Sequence, residues 1–124
     1  MAAPDTVVNL DDKLARIDEH WSPMIVGQIN DLHVKLAKVE GEFVWHSHPD
    51  TDEFFLVRSG RLVIEMRGRD AVTIGPGEFF VVPRGVEHRP VADRECHLLL
   101  LEPAGVVNTG DAPESGLTAG QEWI

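Results

Sequence analysis

Only one cysteine, Cys96, occurs among the 124 residues, so no disulfide can form within the chain. None is needed, because a chain of this length buries roughly two-thirds of its unfolded surface on folding. Cys96 opens an apolar run that ends at Leu101, and a thiol in such a run is expected to be buried and inert. A catalytic thiol needs a base and partial exposure. His97 is its neighbour in sequence but would point to the opposite face of a strand. No apolar run approaches the ~20 residues of a membrane-spanning helix. The first residues, Met1 to Thr6, carry no cationic region and no apolar stretch, so no signal peptide is expected. Positive charge is scarce as well: 11 Lys and Arg face 21 Asp and Glu, for a net charge of −10. That field repels phosphate backbones and anionic lipid. Neither nucleic acid nor membrane is expected as a partner, and the expected location is cytoplasmic. The arginines between Arg58 and Arg94 are read as a solvated exterior.

Helical periodicity is confined to one short stretch. Asn9 precedes Leu10, Leu14 and Ile17, and Asp11 and Asp12 suit the positive end of a helix, which predicts a helix over about 9–18. His20-Trp21-Ser22-Pro23 breaks it. Strand patterns follow over 25–29, 32–39, 43–48, 53–57, 61–66, 71–74, 78–82, 86–91 and 96–102. Gly and Pro punctuate them at 58–60, 67–70, 75–77 and 83–85. Many short strands with no intervening helices predict an all-β sandwich or barrel rather than an α/β sheet. The expected organisation is one domain over 1–124, with a barrel core over about 24–103 and an irregular tail over 104–124. Trp123 and Ile124 are candidates to pin the tail's end. Three strands, at Phe54–Val57, Phe79–Val82 and Leu98–Leu101, are apolar on both faces. One face fills the barrel, and the other needs the N-terminal segment or a second subunit, which predicts a homodimer.

The residues that carry chemistry are His46-Ser47-His48, Glu53 and His88. On a strand, residues i and i+2 share a face with Cα atoms roughly 6.6–7 Å apart. Imidazoles at that spacing converge on one ion at about 2.0–2.1 Å. Pro49 to Asp52 reads as a turn, after which Glu53 can swing back to the same point. Spacing along the chain does not by itself bring His88 there. Glu87, Arg89, Trp45 and Ser47 alternate with these residues and should face away. His20, His33 and His97 are read as structural.

Taken together, these stretches resemble the two motifs of the cupin superfamily. The first motif, H-x-H followed by Glu and then Gly, is matched by His46, His48, Glu53 and Gly60. The second, G-x5-P-x-G-x2-H, is matched by Gly77, Pro83, Gly85 and His88. Gly41 lies four residues before His46 where the pattern has five, and Ala92 stands where the pattern ends in Asn. The resemblance spans about 32–102. It implies an all-β cupin fold, a double-stranded β-helix or jelly-roll barrel, with the short helix added at the N-terminus. It implies His46, His48, Glu53 and His88 as metal ligands, Gly60, Gly77 and Gly85 as turn glycines, and Pro83 as the residue that fixes the turn before His88.

Three imidazoles and a carboxylate leave a divalent ion with a net charge of about +1 and, if octahedral, two open positions. The mixed N/O set suits Mn, Fe, Ni, Co or Zn. The expected function is a metal-binding cupin acting on a small organic acid, dioxygenase- or decarboxylase-like. The alternatives are a sugar or sugar-phosphate isomerase and a non-catalytic small-molecule-binding or sensor module. Fold does not choose among them.

Overall fold

The computed structural model describes residues 5–124. The expectation of no leader at Met1 to Pro4, and a domain start at residue 1, lie outside the described residues. The elements are α1 (Leu10–Leu14), β1 (Met24–Ile29), β2 (Leu32–Glu42), β3 (Glu53–Ser59), β4 (Leu62–Met66), β5 (Arg69–Ile74), β6 (Phe79–Val82), β7 (His88–Pro103) and β8 (Glu122–Trp123). They form one sheet in the order β5-β4-β7-β2-β1-β8, with β3 joining β7 and β6 joining β3. Because β7 pairs with β2, β3 and β4, the sheet folds over on itself as an open jelly roll.

Asn9 caps α1 as its sequence predicts: its side-chain oxygen accepts from the Asp12 N–H at 2.9 Å. The α-helix is shorter than the predicted 9–18. After Leu14 the backbone tightens to i→i+3 bonds, Arg16 N–H to Lys13 O and Ile17 N–H to Leu14 O, and the helix stops. Leu14 and Ile17 are nevertheless buried, packed on Val26 and Leu36 with Leu99 and Ile124 beside them. The N-terminal segment thus covers the outer face of β1, β2 and β7. The inner core holds Val39, Phe55, Val57, Leu62, Ile64, Cys96, Leu98 and Leu100. Burial pushes the Cys96 thiol up to about 11, which leaves it protonated and inert at neutral pH.

Two of the expected strands come out differently. The stretch 43–48 is not a strand, because Phe43 and His46 both face the interior three residues apart, and a regular pleat cannot place them on one face. Among the described residues its backbone bonds the sheet at the His46–His88 bridge and through Phe43 N–H to Pro90 O. The segments 86–91 and 96–102 belong to a single strand, β7. Ala92 and Cys96 are both buried and share the same phase, so the exposed polar residues 93–95 lie within the strand and do not end it. A bulge in β2 between Val39 and Gly41 lets it follow β7 through this stretch. The tail gains a two-residue strand: Glu122 and Trp123 pair parallel with Met24 and Ile25, and the Ile124 N–H donates to Ile25 O at 3.0 Å. No helix among the described residues is long and apolar enough to cross a membrane.

The turn glycines that the motifs implied adopt the left-handed region, at φ 85° for Gly60, 80° for Gly77 and 78° for Gly85. At Gly60 space is short too, because a Cβ would lie 2.8 Å from the Glu95 carbonyl oxygen. Arg58, Arg61, Arg67, Arg84 and Arg89 each face a carboxylate on the exterior, so the arginine-rich stretch is charge-balanced.

Candidate metal centre

β3 delivers Glu53 from its first residue, and β7 delivers His88 from its first residue. His46 is tied to His88 by a reciprocal pair of backbone hydrogen bonds, His46 N–H to His88 O at 3.0 Å and His88 N–H to His46 O at 2.8 Å. This bridge supplies the contact that chain spacing alone left open. One ligand atom from each of His46, His48, Glu53 and His88 lies within 4.8 Å of the others, and all four residues are buried.

The backbone fixes the rings. His46 Nδ1 donates to the Val44 carbonyl and His88 Nδ1 to the Val86 carbonyl, each at 2.9 Å. A carbonyl can only accept, so Nδ1 carries the proton and each Nε2 is the atom presented to the centre. His46 Nε2 and His48 Nε2 are buried with no hydrogen-bond partner among the described residues. His48 Nε2 lies 3.3 Å from Glu53 Oε1, and His88 Nε2 lies 2.9 Å from the same oxygen. A neutral imidazole with its proton on Nδ1 faces that oxygen lone pair to lone pair. Such a contact needs a cation or a proton between the two acceptors.

The electrostatics agree. Burial opposes ionisation of Glu53, yet the His48 and His88 rings beside it outweigh burial and bring the carboxyl down to about 2. Burial, reinforced by His88, lowers His46 to about 4, so that ring is neutral at physiological pH. Burial works against a charged His48 too, but Glu53 prevails and raises it. A buried carboxylate held ionised among imidazoles, with two orphaned ring nitrogens, is a donor set that fits a divalent metal.

The flanking residues face away as alternation predicts. Arg67 lies over the Trp45 ring at 3.9 Å, Ser47 bonds Asp111, Glu87 bonds Arg67, and Arg89 bonds Glu65. Of the other histidines, His20 and His97 share the exposed Glu95 carboxylate, and His33 lies edge-on to Trp123. None reaches the centre.

Three further residues near the site enter only with the structure. In sequence Lys35 alternates with Leu36 as a polar-face residue would, yet it is buried in phase with Ala37 and Val39 and bonds Glu102 at 2.7 Å. Asp111 of the tail grips Ser47 between the two ligand-type histidines. Trp21 walls an apolar cavity of about 30 Å³ that His46 and Glu53 border. For Lys35 the signal was present, because Lys35, Ala37 and Val39 share a period of two. For Trp21 and Asp111 no local pattern exists. A second, open cavity of about 220 Å³ lies between 49–51 and 106–110 and reaches His48 from outside.

Residues 32–102 match a family model described as a cupin domain. The uncharacterized protein YdbB of Bacillus subtilis (strain 168) is 33% identical over 73 residues, covering 59% of this chain and 65% of that protein. The chain therefore spans a little less than two-thirds of that relative's length. Among solved structures, a cupin-2 domain containing protein from Shewanella frigidimarina NCIMB 400 is 48% identical. It has a TM-score of 0.76 and covers 78% of this chain and 94% of that one. Hydroquinone 1,2-dioxygenase from Sphingomonas sp. TTNP3 shares the fold at 24% identity, with a TM-score of 0.73 over 85% of this chain and 36% of that one. The match runs from the first residue of β2 to Glu102 of β7, more than half of the 124 residues, and on that basis the chain belongs to the cupin family.

Proposed function

We propose that this cupin holds one divalent transition metal through His46, His48, Glu53 and His88, and that it acts on a small organic acid as a dioxygenase- or decarboxylase-like enzyme. The observation that carries the metal is the pair of buried, partnerless nitrogens, His46 Nε2 and His48 Nε2, aimed at the Glu53 carboxylate. Leaving them unpaired costs a few kcal/mol, which a metal ligand bond offsets. The metal, when bound, supplies a Lewis acid with open positions for substrate oxygens. The chain's own residues do the rest. Val44 and Val86 carbonyls hold two rings in one tautomer, and mostly apolar side chains line the 30 Å³ cavity beside His46 and Glu53. The residual positive charge of such a centre favours an anionic carboxylate over a neutral sugar. Within the barrel the one buried cation, Lys35, is already neutralised by Glu102, which leaves no phosphate clamp for a sugar-phosphate isomerase among the described residues.

Inductively coupled plasma mass spectrometry on untagged protein, with His48→Ala alongside, tests the reading. The expected result is about one ion per wild-type chain and none in the variant. The metal found then directs assays of O₂ consumption and CO₂ release with small carboxylates. Loaded protein inert in both would favour the sensor module. A wild type free of metal after incubation with each candidate ion would sink the metal assignment.

We also propose a homodimer. Phe79 is 61% exposed and Val81 40%, both on β6, whose outer edge has no partner strand among the described residues. Phe79 stacks on Phe54 at 5.0 Å, which extends the apolar face. Light scattering after size exclusion is expected to give a dimer mass for wild type and a monomer mass for Phe79→Glu; a wild-type monomer would refute the assembly.

A further inference from the structure

Trp21 lies outside the span matched by the family, in the segment between α1 and β1. It is one of two non-glycine residues with a positive φ among the described residues, at 61°, a conformation that a bulky side chain rarely adopts. Three hydrogen bonds hold it there. Its N–H donates to Lys38 O at 2.9 Å, its indole Nε1–H donates to Glu40 O at 2.9 Å, and its carbonyl accepts from Asn108 Nδ2 at 3.1 Å. The ring stacks on Phe43 at 4.6 Å, and Phe43 meets the His46 ring edge-on at 5.4 Å. A strained residue fixed this firmly, one ring away from a metal-ligand histidine, points to a functional constraint.

It walls one side of a partly open apolar cavity beside His46 and Glu53, about 30 Å³, which Leu98 and Leu100 also line. That volume admits one or two small heavy atoms, since a water needs roughly 10–15 Å³ on this measure and a benzene-binding cavity is about 150 Å³. We propose that Trp21 is the specificity-determining residue of the metal site. Wedged against Phe43, it limits the interior to a methyl-sized group, so the substrates are short aliphatic acids and aromatic rings are excluded. An open groove also borders His48, where such an acid would approach the centre. This inference rests on the metal assignment above.

Cobalt(II)-loaded wild type, Trp21→Gly and Trp21→Phe, each titrated with acetate and with benzoate and read by visible absorption, provide the test. The two probes share a carboxylate and differ in bulk. Wild type is expected to bind acetate and to bind benzoate at least roughly tenfold more weakly. Trp21→Gly, which relieves the positive φ as it opens the cavity, is expected to raise benzoate affinity roughly tenfold with acetate little changed. Trp21→Phe shifts the ratio the same way by less, and it decides the matter if the glycine variant does not fold. Benzoate bound by wild type as tightly as acetate, or a ratio that neither variant moves, would overturn the proposal. Cobalt bound by none of the three proteins counts against the metal assignment instead. The cavity is then read on metal-free protein, where phenol is expected to raise the unfolding temperature of Trp21→Gly and leave wild type unmoved. Equal stabilisation of both would overturn it.

Discussion

Lys35→Met is expected to destabilise the protein by about 3–5 kcal/mol at neutral pH, the usual result of removing one partner of a buried ion pair. Lys35 and Glu102 are each 2% exposed, and their side chains meet at 2.7 Å. The ammonium also donates to Gln121 Oε1 at 2.9 Å, so the lysine is well satisfied. Glu102 is not, because its Oε2 is buried without a partner among the described residues. Its carboxyl is pushed above the ordinary range, first by burial and then by the charge of Glu53, with Lys35 opposing. Methionine removes that opposition. The sign of the pH dependence follows. A carboxyl whose folded pKa is raised binds its proton more tightly folded than unfolded, so its ionisation destabilises the fold as pH rises above 4.5, its ordinary value. The deficit of Lys35→Met is therefore expected to be larger at pH 8 than at pH 5. Adding Glu102→Leu should recover most of it, since a well-packed apolar pair in place of a buried ion pair is close to neutral. Chemical denaturation of the three proteins at both pH values measures this. A single variant equal to wild type, or a deficit that shrinks as pH rises, would contradict the account.

That ion pair also marks where reading from sequence stops. Apolar runs punctuated by Gly and Pro locate seven of the eight strands among the described residues, and period-two alternation, by which a strand between core and solvent writes its orientation into every second residue, is the guide to which side chains face inward. It misassigned Lys35 because β2 is covered on both faces, by the inner core and by α1 with Ile17, so apolar Leu36 and charged Lys35 are both buried. Alternation then no longer tells inside from outside. The four ligand-type residues were legible for a different reason. His46, His48 and Glu53 carry metal-ligating groups at close spacing, and the resemblance to the two cupin motifs implies His88 as the fourth. The expected strand over 43–48 is wrong and its histidines still converge, because the His46–His88 backbone bridge supplies the register that a full strand would have given. Trp21 and Asp111 lie near the centre from segments with no periodicity, Trp21 held by Asn108 across 87 residues and Asp111 bonded to Ser47 across 64. No local signal encodes contacts of that range.

Gly110→Ala is expected to injure both the fold and the centre, although residue 110 contributes no ligand. The tail crosses the H-x-H segment at this point. Asp111 Oδ1 accepts from the Ser47 N–H at 2.6 Å, Asp111 Oδ2 accepts from Ser47 Oγ at 2.8 Å, and the Asp111 N–H donates to Ser47 O at 3.0 Å. Ser47 thus has its backbone and side chain fixed by one tail residue, and it stands between His46 and His48. Gly110 makes the approach feasible. Its φ is +55°, and a Cβ there would overlap the Ser47 carbonyl oxygen and sit 3.1 Å from His46 Cδ2. The carbonyl is backbone and the ring belongs to a buried candidate ligand, so neither can yield without moving the site. Overpacking of this kind costs about 1–3 kcal/mol. The larger effect falls on the metal. Displacing the tail frees Ser47 and loosens two ligands together, and loss of such an outer support typically weakens metal binding roughly 10–100-fold. Gly120→Ala is the control, because its Cβ would meet nothing within 4 Å. Thermal unfolding and a competitive metal titration of both variants decide the question. Gly110→Ala binding metal as wild type does would mean that the tail merely overlies this segment, and that His46 is held by the β7 bridge and His48 by the Gly85 N–H bond to its carbonyl.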